Sequence, residues 1–125
     1  MTENEISYEI RGCIFNVYNI LGPGLLESAY EAALAFELNK RGLAFVLQVG
    51  LPMQYEGIQL DIGYRLDMIV ENKVIIEIKS VDAILSVHHK QLITYLKLSG
   101  LKLGLLVNFN TDDISHSIFR KVNEL

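Results

Sequence analysis

"GYRLDMIVENKVIIEIKSV", residues 63–81, is the stretch from which the rest of the chain can be read. Val74 to Ile78 is apolar except at Glu77, which marks a buried strand with a carboxylate set into it. Lys79 follows two residues later. Side chains alternate across a strand, so Ile75, Glu77 and Lys79 share one face while Val74, Ile76 and Ile78 take the other. Burying a carboxylate beside an ammonium is unfavourable unless each has a partner or a task. The preceding run, Ile58 to Val70, reads as a second strand on which Arg65, Asp67 and Ile69 share a face. Glu71-Asn72-Lys73 suits a tight turn, because asparagine tolerates positive φ. Such a turn brings Asp67 roughly opposite Glu77. Two carboxylates converging at one place offer hard oxygen donors suited to magnesium or manganese. A lysine beside them could orient a water or stabilise charge developing on a phosphate.

Upstream the texture is helical. Ile6, Ile10, Cys13, Val17 and Ile20 recur at three- and four-residue spacing and predict one apolar stripe on a helix from Glu3 to Leu21. "GPG" at 22–24 ends it, since glycine accepts left-handed backbone and proline cannot continue the helical ladder. A second helix is expected from Leu25 to Arg41, stopping at Gly42. A strand then runs to Tyr55, where Pro52 predicts an edge position or a bulge. Glu56-Gly57 makes the next turn. Downstream, a helix fits Val87 to Ser99 and ends at Gly100, a short strand fits Leu103 to Asn108, and an edge strand fits Ile118 to Val122. The expected fold class is α/β, in the order α-α-β-β-β-α-β(-β), with a mixed β-sheet flanked by helices.

The 125 residues suit a single domain spanning 1–125, half of them hydrophobic. No apolar run approaches the roughly 18–20 residues of a membrane helix. The acidic opening "MTENEISYE" has no apolar signal region, and Cys13 is the sole cysteine, so a cytoplasmic protein is expected. A net charge of -4 argues against a non-specific nucleic-acid binder, yet not against a metal-dependent enzyme that acts on nucleic acid. His88 and His89 are adjacent and diverge on a helix, and the chain supplies too few such ligands for a zinc site. Cys13, on the apolar stripe, reads as core. Lys90, Lys97, Lys102, Arg120 and Lys121 are solvated charges by default and could form a modest phosphate-binding rim.

Two long motifs add a family to this reading. Asp67 to Lys79, D-x9-E-I-K, resembles the signature of the PD-(D/E)xK nuclease superfamily, and "GPGLLESAY" resembles the GxxExxY motif that names a small family within it. "HHKQLITYLKLSG" and "LKLGLLVNF" continue the likeness. The resemblance implies a restriction-endonuclease-like core and a divalent-metal-dependent nuclease hydrolysing phosphodiesters. It implies Mg2+ or Mn2+ held by Asp67, Glu77 and the backbone carbonyl of Ile78, with Glu27 as the upstream helical acid. Lys79 then assists the attacking water, and Gln91 is the polar residue of the following helix. "RLD" replaces the name-giving proline-aspartate, a variation the superfamily tolerates. Independently of the family, Glu27 and Tyr30 share a helix face, and so do His88, Gln91 and Tyr95. These supporting residues could equally cap a helix or tether it to the sheet.

Nucleic acid is the expected partner, DNA ahead of RNA, with a homodimer or a partner protein supplying grip that the charge does not. The alternative is a non-catalytic nucleic-acid- or protein-binding module that keeps the nuclease fold. Hydrolysis of a small phosphoester would need a closed pocket.

Overall fold

Glu71 and Asn72 both take left-handed backbone, at φ 53° and 55°, and reverse the chain where the sequence placed a turn. The computed structural model that shows this describes residues 1–125, the side chain of Ile62 excepted. The elements follow the expected order: α1 (Glu3–Leu21), α2 (Glu27–Lys40), β1 (Phe45–Tyr55), β2 (Ile58–Val70), β3 (Val74–Lys79), α3 (Ser86–Ser99), β4 (Leu103–Asn108) and β5 (Ile118–Val122). A short 3-10 turn, Ile114–His116, precedes β5. Together they form an α/β fold with a mixed sheet, as the restriction-endonuclease-like reading anticipates.

The five strands lie in sequence order, β1-β2-β3-β4-β5. β3 and β4 pair in parallel and the other neighbours are antiparallel. A parallel pair cannot be closed by a tight turn, so the chain crosses over through α3 between them. Strand alternation then sorts the side chains into two cores. Val74, Ile76 and Ile78 pack with Leu103, Leu105 and Val107 beneath α1 and α2. Ile75 and Leu106 pack on the other face with Leu92, Tyr95 and Leu96 of α3. Each aliphatic side chain fully buried in this way contributes about 1.5–3 kcal/mol. Gly104 permits the close approach of α3, because a Cβ there would lie 2.8 Å from Leu92 Cδ1.

Three sequence expectations need correction. Ile20 is 76 % exposed, and Ile14 takes the buried place on α1, because the apolar stripe drifts around a long helix. α2 begins at Glu27 rather than Leu25, which stays in the loop. Finally, alternation does not run unbroken through Asp67: Leu66 and Ile69 both belong to the α3 side, with Met68 on the other. The switch falls where the regular β1–β2 pairing leaves out Asp67, opposite Gln48, which takes φ 52°. Pro52 sits on an edge strand, at a register shift between Leu51 and Met53, so both readings of it hold.

Candidate active site

The β2–β3 ladder runs from Val70–Val74 to Met68–Ile76 and stops one position short of Asp67 and Glu77. There the side chains take over from the backbone. Glu77 Oε1 accepts the Asp67 N–H at 3.1 Å, and Asp67 Oδ2 accepts the Ile78 N–H at 2.8 Å. Each carboxylate thus accepts a backbone N–H of the opposite strand just past the last ladder pair. A strand residue directs its N–H and C=O to the same neighbour, so the Ile78 carbonyl opens on the Asp67 side of the gap. The Ile78 side chain points away, into the core under α1 and α2.

Glu77 is 6 % exposed and Asp67 is half-buried. Burial, and then the negative charge of Asp67, push the Glu77 carboxyl up to about 8 from an ordinary value of 4.5. The Asp67 N–H and the positive charge of Lys79 pull the other way. The two carboxyl groups are close enough for a protonated Glu77 to donate to Asp67. A proton held on Glu77 beside Asp67 sits where a cation would relieve the same repulsion. On this observation the residues fit a divalent ion such as Mg2+ or Mn2+. No group of three or more His, Cys, Asp or Glu side chains is gathered closely enough to hold a metal among the described residues, so side chains alone provide a pair of donors.

Lys79, half-buried, is the last residue of β3 and makes no ion pair among the described residues. Glu27 lies just beyond it. Its Oε1 is 3.4 Å from the Ser80 N–H, while Ser80 Oγ donates to the Leu25 carbonyl at 2.6 Å. Glu27 is the first residue of α2 and is exposed; no side chain caps that helix start. The upstream acid therefore reaches the strand end beside Lys79, while the Asp67–Glu77 pair forms without it.

Tyr30 works from the opposite face of the sheet. Its ring stacks on Phe109 at 4.3 Å, its hydroxyl donates to the Gly22 carbonyl at 2.6 Å, and the Leu25 N–H donates to it at 3.2 Å. It fixes the loop that presents Glu27 and does not approach the carboxylate pair. Tyr95 does face the pair: burial, then the charges of Glu77, Tyr64 and Asp67, push its phenol up. Its ring meets Tyr64 edge-on at 5.8 Å. Gln91 is exposed and lines a 250 Å³ groove with Tyr64, Val87, Lys90, Thr94 and Tyr95, on the side of α3 toward β2. His88 is engaged elsewhere, its Nδ1 accepting the Leu85 N–H at 3.0 Å at the start of α3. That bond makes it a helix cap at the start of α3.

Sequence reasoning missed Asn108. This residue, 5 % exposed, takes the Val81 N–H on Oδ1 at 3.1 Å and donates from Nδ2 to the Val81 carbonyl at 2.9 Å. Its signal was present: an asparagine closing an otherwise apolar strand needs buried partners.

The geometry agrees with the comparison to protein families. A model described as PD-(D/E)XK nuclease superfamily matches residues 4–121. No curated protein and no solved structure matches the chain. The matched span runs from within α1 to within β5, and with it Asp67, Glu77 and Lys79 on adjacent strands; the chain belongs to the PD-(D/E)XK nuclease superfamily.

Proposed function

We propose that this chain is a divalent-metal-dependent nuclease that hydrolyses phosphodiester bonds in nucleic acid, DNA ahead of RNA, and that it belongs to the GxxExxY family. One observation carries the reading: two carboxylates, Asp67 and Glu77, held together at the opening of a strand pair, with burial and mutual repulsion raising one of them to about 8. Such a pair is unfavourable for stability and understandable as a cation site. The pattern from Gly24 through Glu27 to Tyr30, with Glu27 against the end of β3, supports the GxxExxY assignment.

Asp67, Glu77 and the Ile78 carbonyl would hold the ion. A bound Mg2+ or Mn2+ supplies Lewis acidity toward a phosphoryl oxygen and toward a water. The protein does the rest by placement. Lys79, on the Glu77 face, directs its ammonium to where negative charge develops as water attacks phosphorus and the P–O bond to the leaving oxygen breaks. The Asp67 and Ile78 N–H groups fix the carboxylates so that neither swings away when charge redistributes. Gln91, from the groove beside Tyr95, can donate to and accept from a flanking nucleotide without altering the local charge. The net charge of -4 leaves the hold on a long duplex to a second copy or a partner protein.

The test is cleavage of labelled single- and double-stranded DNA and RNA with Mg2+ or Mn2+, by wild type, Asp67→Ala and Lys79→Ala. Cleavage by wild type alone, abolished by EDTA, supports the reading and identifies the substrate. A folded wild type that binds neither cation and cleaves nothing points instead to a binding module on the nuclease fold.

A further inference from the structure

β3 ends at Lys79, but the chain beyond it does not fray. The main-chain ladder to β4 closes with the Phe109 N–H on the Lys79 carbonyl at 3.0 Å. Two residues further, Val81 has no strand opposite it, and the Asn108 side chain stands in for one. Its carboxamide copies a peptide group: Oδ1 accepts the Val81 N–H at 3.1 Å, and Nδ2 donates to the Val81 carbonyl at 2.9 Å. Oδ1 also accepts the Asn110 N–H at 3.2 Å, so three of the carboxamide's four bonding positions are used. Between the two anchor points lies Ser80, held from the other side by Glu27 Oε1 and the Leu25 carbonyl. Lys79-Ser80-Val81 is thus gripped by β4 on one flank and by the start of α2 on the other.

From this geometry we infer that Asn108 is a positioning residue: by clamping both backbone groups of Val81 it sets where the Lys79 side chain and the Glu27 carboxylate stand relative to the Asp67–Glu77 pair. The inference rests on the nuclease reading for its kinetic consequence and on the hydrogen bonds alone for its structural one. Asp67 and Glu77 are positioned upstream, by each other and by the β2–β3 ladder, so removing the clamp spares them. Lys79 is at the strand terminus, where a released backbone moves a long side chain most. Asn108 used only as core filling would instead weaken the whole fold together.

Amide hydrogen exchange, Mn2+ titration and cleavage kinetics, run on wild type, Asn108→Ala and Asn108→Asp, separate the two. Asn108→Asp keeps the acceptor for Val81 and Asn110 and removes the hydrogen given to the Val81 carbonyl, so it serves if the alanine variant does not fold. Asn110→Ala, which removes only the 3.3 Å bond from Asn110 Nδ2 to Val81, is the control in the same loop. Exchange at Ser80 and Val81 should rise at least about 10-fold, while Ile76 and Leu105 stay protected. The Mn2+ dissociation constant should move by less than about 3-fold, and turnover should fall about 10- to 100-fold with KM little changed. Faster exchange throughout the sheet together with lost Mn2+ binding overturns the inference. So does unchanged turnover once Ser80 and Val81 are freed. If wild type cleaves nothing, the nuclease reading fails separately. Selective release of Ser80 and Val81 with the cation site intact then upholds the clamp, and uniform release overturns it.

Discussion

Glu77 accepts the backbone N–H of Asp67 while Asp67 accepts the N–H of Ile78, so each carboxylate holds the strand that carries the other. The two negative groups are locked face to face by bonds that neither can leave without orphaning a backbone donor. Repulsion is therefore built into the sheet.

That repulsion predicts a pH-dependent stability for the metal-free protein. The folded-state pKa of Glu77, about 8, lies above its ordinary 4.5, so between those values the native state binds more protons than the unfolded one. Stability from this group is fully present below pH 4.5 and declines as pH rises through 8. A tenfold change in a proton-binding constant is worth about 1.4 kcal/mol, so the loss across this range is a few kcal/mol. Denaturant unfolding in EDTA across this range should show the decline. Glu77→Gln, which keeps an oxygen for the Asp67 N–H, should flatten it and stabilise the protein at pH 8 while abolishing cleavage. A flat wild-type profile would contradict the coupled pair.

Cation binding must displace the proton that Glu77 carries. Mg2+ or Mn2+ affinity should therefore rise with pH up to about 8, and binding at pH 7 should release close to one proton. Calorimetry in two buffers of different ionisation enthalpy counts that proton. Thermal stabilisation by Mn2+ should be larger at pH 8 than at pH 6, and absent in Asp67→Asn.

Lys79→Ala should lower turnover by about 10²- to 10³-fold and leave cation binding in place. Since the Lys79 charge helps lower the Glu77 carboxyl, the variant should also bind Mn2+ with its pH dependence displaced to higher pH. Lys79→Arg should rescue little, because a planar guanidinium does not substitute for a compact ammonium.

Tyr30→Phe keeps the stack on Phe109 and loses the hydroxyl bonds to Gly22 and Leu25. A loss of about 1–2 kcal/mol is expected, measured by urea unfolding. Gln91→Ala, exposed and without a hydrogen bond among the described residues, should leave stability within about 0.5 kcal/mol. Its effect should fall on KM.

The succession of helices and strands was legible in the sequence because periodicity is local. The apolar run at Val74–Ile78, helical spacing from Ile6 to Val17, and turn chemistry at Glu71-Asn72 each need only a few neighbouring residues. The meeting of Asp67 with Glu77 was legible for the same reason, since one short turn sets the register between them. What lay beyond local reach was decided by tertiary structure. Glu27 bonds Ser80 across 53 residues, and Asn108 bonds Val81 across 27, contacts that exist only once α2 and β4 have docked on β3. Ile20 reached the surface as the apolar stripe drifted around α1, and His88 capped α3 through a bond to Leu85 three residues before it, a local contact outside the shared-face reading. The raised Glu77 carboxyl likewise required the fold, because desolvation depends on what closes over a group and not on the residues beside it in the chain.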